Sequence, residues 1–273
     1  MDFIKRHKSE PWFLYLAFNA PHMPNEPTSE RLAQFAAIAD PLRRKYAAQV
    51  SLMDDAIGAA LDSMRASGQD QNTLVFFFSD NGGSGRKPFF AYNTGVNTPL
   101  RGDKGQTLEG GIRVPFFVSW SGKLPAGKTY DQPVSAMDIL PTACAVTGAP
   151  QPNSVEGVNL LPHLKGEITT APHDTLAWRF GPQKAIRQGN WKLVDVRDME
   201  AKTQSGWQLY DLSSDIGEQH DLAAAKPELV TQLSKAWDNW NAKNIAPQWH
   251  GAVNEDPTAP QKPAAKAGKA KKK

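Results

Sequence analysis

Cysteine is almost absent. Cys144 is the only one in 273 residues, which excludes an internal disulfide and any cysteine-rich zinc site. Long apolar runs are missing as well. The longest, WFLYLAF (Trp12 to Phe18), is seven residues, far short of the ~20 that span a bilayer, so no transmembrane segment is expected. The opening DFIKRHKSEPW is charged and carries no apolar signal-peptide core. No internal repeat is visible. The net positive charge comes from one end only: Lys262 to Lys273 holds six lysines and no acid, and without them the formal +3 becomes −3. A stretch of Ala, Gly, Pro and Lys reads as a disordered basic tail over residues 251–273, and no nucleic-acid partner is expected. The remainder, 40% hydrophobic and 22% charged, has the composition of an ordinary globular protein.

Periodicity divides the chain. PWFLYLAF predicts a buried strand ending near Phe18, followed by a loop punctuated by proline. Tyr46, Val50, Met53, Ile57, Leu61 and Met64 recur at the helical period, and Gly68 closes that helix. TLVFFF (Thr73 to Phe78) predicts a second strand, buried on both faces, and VPFFVSW (Val114 to Trp120) a third. Between them, Ser79 to Arg113 is a long Gly-rich loop, of a length that is usually functional. Asp138 is placed to cap a short helix that Gly148 ends. After it the texture changes. HDTLAWRF, QKAIRQGNWKLVDV and GWQLYDL read as short antiparallel strands, and residues 226–244 as an amphipathic helix with Leu229, Leu233, Trp237 and Trp240 on one stripe. The expected fold class is α/β: a core sheet flanked by helices, with a small C-terminal antiparallel sheet plus helix.

In open α/β sheets, sites form beyond the carboxyl ends of the strands. His22 follows the first strand and Asp80 and Asn81 follow the second. A carboxylate beside a carboxamide offers hard oxygens that suit Ca²⁺, and Mg²⁺ less well; a histidine in the second position would have leaned towards zinc. The tetrapeptide Asp-Asn-Gly-Gly is also an ordinary turn signal. His22 taken alone is a loop histidine, and Lys104 taken alone is a solvated lysine.

Together, however, these segments resemble the sulfatase family of the alkaline-phosphatase-like superfamily. FLYLAFNAPHMP, YAAQVSLMDDAIGAAL, TLVFFFSDNGG and PLRGDKGQTLEGGIRVPFFVSW stand in that family's order, and KGQTLEGGIRVP is the most specific run. GNWKLVDV and WQLYDLSSDIGEQHDLA resemble its C-terminal subdomain. The resemblance implies an alkaline-phosphatase-like core in residues 1–165 and a C-terminal α+β subdomain in 166–250. It implies hydrolysis of a sulfate monoester to alcohol and sulfate with one Ca²⁺, held in part by Asp80 and Asn81. Lys104 would contact the sulfate and its bridging oxygen, and His22 would donate a hydrogen bond, or a proton, to the leaving oxygen. Glu109 and Arg113 match too, and read as a buried ion pair.

The family's nucleophile is a formylglycine made from the first residue of a Cys/Ser-x-Pro-x-Arg motif, and no such motif occurs in this sequence. The nearest miss, SEPWF at Ser9, lacks the arginine, and Cys144 sits in TACAV. The chain therefore resembles the C-terminal portion of a sulfatase, inactive alone, with an incomplete calcium site. Its expected partners are a sulfated small molecule or carbohydrate, and a missing N-terminal half or an oligomeric partner that covers an exposed apolar sheet edge. A periplasmic or secreted location is what the family implies. Two alternatives stand beside this reading: a phosphatase or phosphodiesterase of the same superfamily, and a non-catalytic sulfatase-like binding or partner subunit.

Overall fold

The structure is a computed structural model that describes residues 2–85, 95–197 and 203–246. The basic tail and part of the Gly-rich loop, residues 86–94, lie outside the described residues.

The N-terminal part is a helical layer beside a two-stranded ribbon. α1 (Asp2–Arg6) is followed by an extended segment, then by α2 (Ser29–Ala33) and α3 (Pro41–Ala66). α3 starts where the sequence offers a full N-terminal signal. The Asp40 carboxylate accepts from the Leu42 and Arg43 amides, both at 2.8 Å, and Pro41 supplies a fixed φ in the first turn. It ends at Ser67, beyond which Gly68 takes φ 72°. Arg31 ties α2 to this helix through the Ser51 hydroxyl at 2.8 Å and an ion pair with Asp55. Of the periodic apolar stripe only Met64 is fully buried; Tyr46, Val50, Met53, Ile57 and Leu61 are half-covered.

Two expectations are corrected here. Pro11 to Phe18 is extended but joins no ladder, and Phe13 and Tyr15 are 78% and 74% exposed. A strand without a polar face needs neighbours at its edges and on both faces, and no described residue supplies them. The second strand, β1 (Val75–Phe78), pairs antiparallel with β2 (Phe116–Ser119) in register Phe78↔Phe116. It is half-buried rather than buried on both faces. Phe76, Phe78 and Phe116 pack ring to ring on one side, while the directly paired Phe77 and Phe117 face solvent on the other.

Between the strands lies one helical turn, α4 (Glu109–Ile112), and after them come α5 (Ile139–Thr147) and α6 (Leu161–Leu164). Gly148 ends α5 at φ 71°. Asp138 precedes α5 but caps none of its amides, because its own backbone is already helical (φ −77°, ψ −14°) and its carboxylate points back. There it accepts from Ser135 N at 2.7 Å and Val158 N at 2.9 Å, and pairs with His173 Nε2 at 2.9 Å.

The C-terminal part is the antiparallel sheet and helix that the short strands predict. β3 (Thr175–Phe180), β4 (Gln183–Gln188), β5 (Trp191–Asp195) and β6 (Gln208–Asp211) lie in sequential order, and α7 (Pro227–Asn241) crosses one face. Ile186, Leu193 and Leu209 meet Leu233 and Trp237 on that face; each fully buried aliphatic stabilises the fold by about 1.5–3 kcal/mol. On the opposite face Ala185, Val194 and Tyr210 are covered by Leu108, which comes from the Gly-rich loop. The loop between β1 and β2 is thereby one wall of the C-terminal core.

Candidate functional site

The ladder of β1 and β2 continues one step, with Ser79 N donating to Pro115 O at 3.3 Å, and the chain then breaks away. Asp80 is exposed at the tip, and Asn81 donates its Nδ2 to Gly82 O at 3.0 Å while its own carbonyl accepts from Ser79 Oγ at 2.8 Å. Among the described residues no hydrogen bond is donated to the Asp80 carboxylate or to Asn81 Oδ1. Two adjacent oxygen groups without donors fit a hard cation. They are a partial shell, because no cluster of three or more His, Cys, Asp or Glu that could hold a metal occurs among the described residues.

What brings Lys104 to this tip is backbone packing. Gly82 N donates to Gly111 O at 3.0 Å, so close that a Cβ on Gly82 would lie 1.7 Å from Gly110 O. Asn97 acts as a clamp: its Oδ1 accepts from Gly83 N at 2.8 Å, and its Nδ2 donates to Gly83 O at 2.8 Å and Gly102 O at 3.1 Å. Lys104 N then donates to the same Gly83 O at 3.2 Å. Its half-buried side chain has no carboxylate partner among the described residues. A cation with no carboxylate partner among the described residues thus stands on the segment bonded to the Asp80–Gly83 turn.

His22 is not brought in by any bond. It is exposed, its backbone N donates to Asn19 O at 2.8 Å, and its Nδ1 lies 2.8 Å from Met23 O. A carbonyl only accepts, so Nδ1 carries the proton and Nε2 is the free nitrogen. No hydrogen bond or ion pair links His22 to Asp80, Asn81 or Lys104 among the described residues.

The ion pair expected between Glu109 and Arg113 is present but secondary. Arg113 Nη1 is 3.5 Å from Glu109 Oε2 and the arginine is half-exposed. The close partner is Lys192 of β5, whose Nζ is 2.8 Å from Glu109 Oε1 and 2.8 Å from Glu218 Oε1, with no exposure of its own. Burial pushes both carboxyls up. At Glu109, Lys192 together with Arg187 and Arg113 outweighs burial and holds the pKa below the ordinary value; at Glu218 burial wins and the pKa is raised. The sequence carries one signal for this group: in β5, strand alternation puts Lys192 on the face of Val194, a buried apolar position. Read only as one polar residue of a short strand, that lysine is missed.

Comparison with known proteins gives the following. The sulfatase family model matches residues 1–149, and that of the C-terminal region of N-sulphoglucosamine sulphohydrolase matches residues 102–243. A sulfatase of Formosa agariphila is 30% identical over 97% of this chain and 53% of its own length. The N-acetylgalactosamine-6-sulfatase of Sus scrofa is 31% identical over 86% of this chain and 49% of its own length. The crystal structure of Ps i-CgsB in complex with k-i-k-neocarrahexaose superposes with a TM-score of 0.80 at 32% identity, over 91% of this chain and 54% of that one. The chain spans about half the length of these relatives.

Proposed function

The chain belongs to the sulfatase family, with structural neighbours of the alkaline-phosphatase-like fold, and from that premise we propose that it is the C-terminal portion of a sulfuric ester hydrolase. Residues 1–165 are assigned to the second half of the core and 166–250 to the C-terminal subdomain. The observation that carries the reading is the junction at the end of β1, where the oxygens of Asp80 and Asn81, without donors among the described residues, and Lys104, without a carboxylate partner among them, stand on segments bonded to each other.

In the proposed reaction an oxygen nucleophile bonds to sulfur as the S–O bond of R–O–SO₃⁻ breaks, and the bonding pair leaves with the departing oxygen, where negative charge grows. Lys104 is assigned to that charge, as a fixed cation whose interaction strengthens in the transition state. His22 is assigned to protonate the leaving oxygen. With Nδ1 held by Met23 O, the proton it gives must sit on Nε2, so the acid form is the imidazolium. Asp80 and Asn81 would hold part of a calcium shell, and the ion would supply positive charge beside the sulfate oxygens. The nucleophile has no counterpart in this sequence and would come from a second polypeptide segment. The exposed Phe13, Tyr15, Phe77 and Phe117 mark the surface on which that segment would complete the sheet. The pig relative's name and the oligosaccharide bound to Ps i-CgsB support a sulfated carbohydrate as substrate. Against a two-metal phosphatase, Asn81 stands where histidine would be wanted.

Calorimetric Ca²⁺ titration and a chromogenic aryl sulfate assay test the proposal. The chain alone should bind Ca²⁺ weakly, at about millimolar, because calcium takes ~6–8 oxygens, and should not turn over. Addition of the complementary half of a sulfatase, with its nucleophile oxidised to formylglycine, should restore both. Micromolar Ca²⁺ binding by the chain alone, or turnover without the second half that is lost in Asp80→Ala, would refute it. Assembly with tight Ca²⁺ binding but no turnover would favour the non-catalytic partner subunit.

A further inference from the structure

Among the described residues, Glu109, Lys192 and Glu218 form the most heavily buried group of charges outside the site itself. Glu109 and Glu218 lie within 2.8 Å of Lys192 Nζ, and all three side chains are sealed from solvent. Two further contacts attach Glu218 to the Gly-rich loop. Its Oε2 accepts from Glu109 N at 2.8 Å, and its carbonyl accepts from Arg101 Nη1 at 2.8 Å. Glu109 N opens α4, whose N-cap position is Leu108, a residue with no side-chain oxygen to offer. Glu218 therefore caps α4 from 109 residues away. To do so it holds φ 53°, the one positive value at a non-glycine residue among those described. A bulky side chain in that region costs free energy and persists where the surroundings enforce it.

The path from this cluster to the site is short and stiff. Glu109 is followed by Gly110 and Gly111, and it is Gly111 O that accepts from Gly82 N, while Gly110 N donates back to Arg101 O at 2.7 Å. Gly82 begins the turn that Lys104 N grips through Gly83 O. The glycine contacts leave no slack, since a methyl group on Gly110 would lie 2.2 Å from Gly102 O. A shift of α4 is therefore transmitted to both Asp80–Asn81 and Lys104 without an intervening flexible side chain.

We propose that Lys192, with Glu109 and Glu218, is the positioning device of the candidate site. In this role the C-terminal sheet sets where the β1 tip and the Lys104 loop stand relative to each other. The inference rests on the proposed function only in naming Asp80, Asn81 and Lys104 as the groups positioned; the mechanical link is independent of it. The cluster explains why a subdomain with no proposed catalytic residue must pack against the loop: it supplies the cation that α4 needs and the cap that Leu108 lacks.

Native-state hydrogen exchange on the full chain tests this. In Lys192→Met, the amides of Gly82, Lys104, Gly110 and Gly111 should exchange at least tenfold faster, while those inside α3 and α7 keep their wild-type rates. Should Lys192→Met not fold, Glu218→Gln keeps size and acceptor oxygen, and should give a smaller change at the same four amides. In the assembled enzyme the same variants should lower kcat with KM unchanged. Unchanged exchange at Gly82 and Lys104, or a rise shared equally with α3 and α7, would overturn the positioning role. A localised rise in a protein that never hydrolyses sulfate esters would uphold it and count against the proposed reaction instead.

Discussion

Two glycine-to-alanine substitutions, each adding one methyl group, should have opposite signs. In Gly82→Ala the new Cβ would lie 1.7 Å from Gly110 O, 2.8 Å from Gly110 C and 3.1 Å from Gly111 Cα, all backbone atoms that have no rotamer to escape into. Carbon contacts settle near 3.5–4 Å, so the tip and α4 must part by on the order of 2 Å. That displacement breaks the hydrogen bond from Gly82 N to Gly111 O, about 1 kcal/mol, and adds overpacking of about 1–3 kcal/mol. A loss of roughly 2–4 kcal/mol in a chain of this size lowers Tm by roughly 4–16 °C. Gly58, in the middle of α3, has nothing within 4 Å of its Cβ position. Gly58→Ala should therefore gain about 0.8–1 kcal/mol from helix propensity alone. Thermal melting followed by circular dichroism at 222 nm reads both. A Gly82→Ala protein melting within about 1 °C of wild type would mean that the tip does not sit on α4 as described. The positional logic of the site would then fail with it.

Three other outcomes follow from the same geometry. In an assembled enzyme, Lys104→Ala should lower kcat by on the order of 10²–10³, and His22→Ala by about 10²–10⁴ with the loss shrinking for aryl leaving groups that need no proton; equal losses of His22→Ala on aryl and alkyl sulfates would remove His22 as the acid. Glu218, whose folded pKa is raised by burial, favours the fold below its unfolded value near 4.5 and loses that contribution as pH rises through the raised value, while Glu109, held low against its burial by Lys192, loses its contribution as pH falls through the lowered value. Glu218→Gln should therefore flatten the fall in Tm as pH rises above the ordinary carboxylate range and leave the acid limb governed by Glu109; an unchanged slope on that limb of rising pH would show that Glu218 does not titrate there. Asp138→Ala removes the acceptor for Ser135 N, Val158 N and His173 Nε2 in a fully buried position, and urea unfolding should report a loss of about 3 kcal/mol, with under ~1 kcal/mol counting against a structural role.

Much of the architecture is legible in local pattern because local physics decides it. α3 begins at Asp40-Pro41 and ends at Gly68 for reasons contained within a few residues. α7 shows its period because it has one partner layer, and the four C-terminal strands are legible because the layers that cover them, α7 and the Gly-rich loop, lie within this chain. The Trp12 to Phe18 segment fails differently. Its composition asks for cover on both faces, yet pattern does not say what would provide it, and no described residue does. β1 misleads in the same way: three phenylalanines in a row require burial on two sides, and the structure covers one.

The cluster around Lys192 shows the converse limit. Its members are 83 and 109 residues from Glu109, and no local rule connects a lysine in a strand to an acid at the first position of a one-turn helix. Each has an ordinary surface reading by itself. Only a burial argument links them: a lysine at an inward strand position must find a carboxylate, because an unpaired buried charge costs several kcal/mol. One carboxylate would neutralise it. A second, at positive φ, is more than charge balance requires, since Arg113 and Arg187 also act on Glu109. The surplus acid makes sense as a cap for α4, the contact that fixes the loop holding Lys104. Holding a glutamate at positive φ costs free energy, and the surroundings that enforce it include the contact that places the loop.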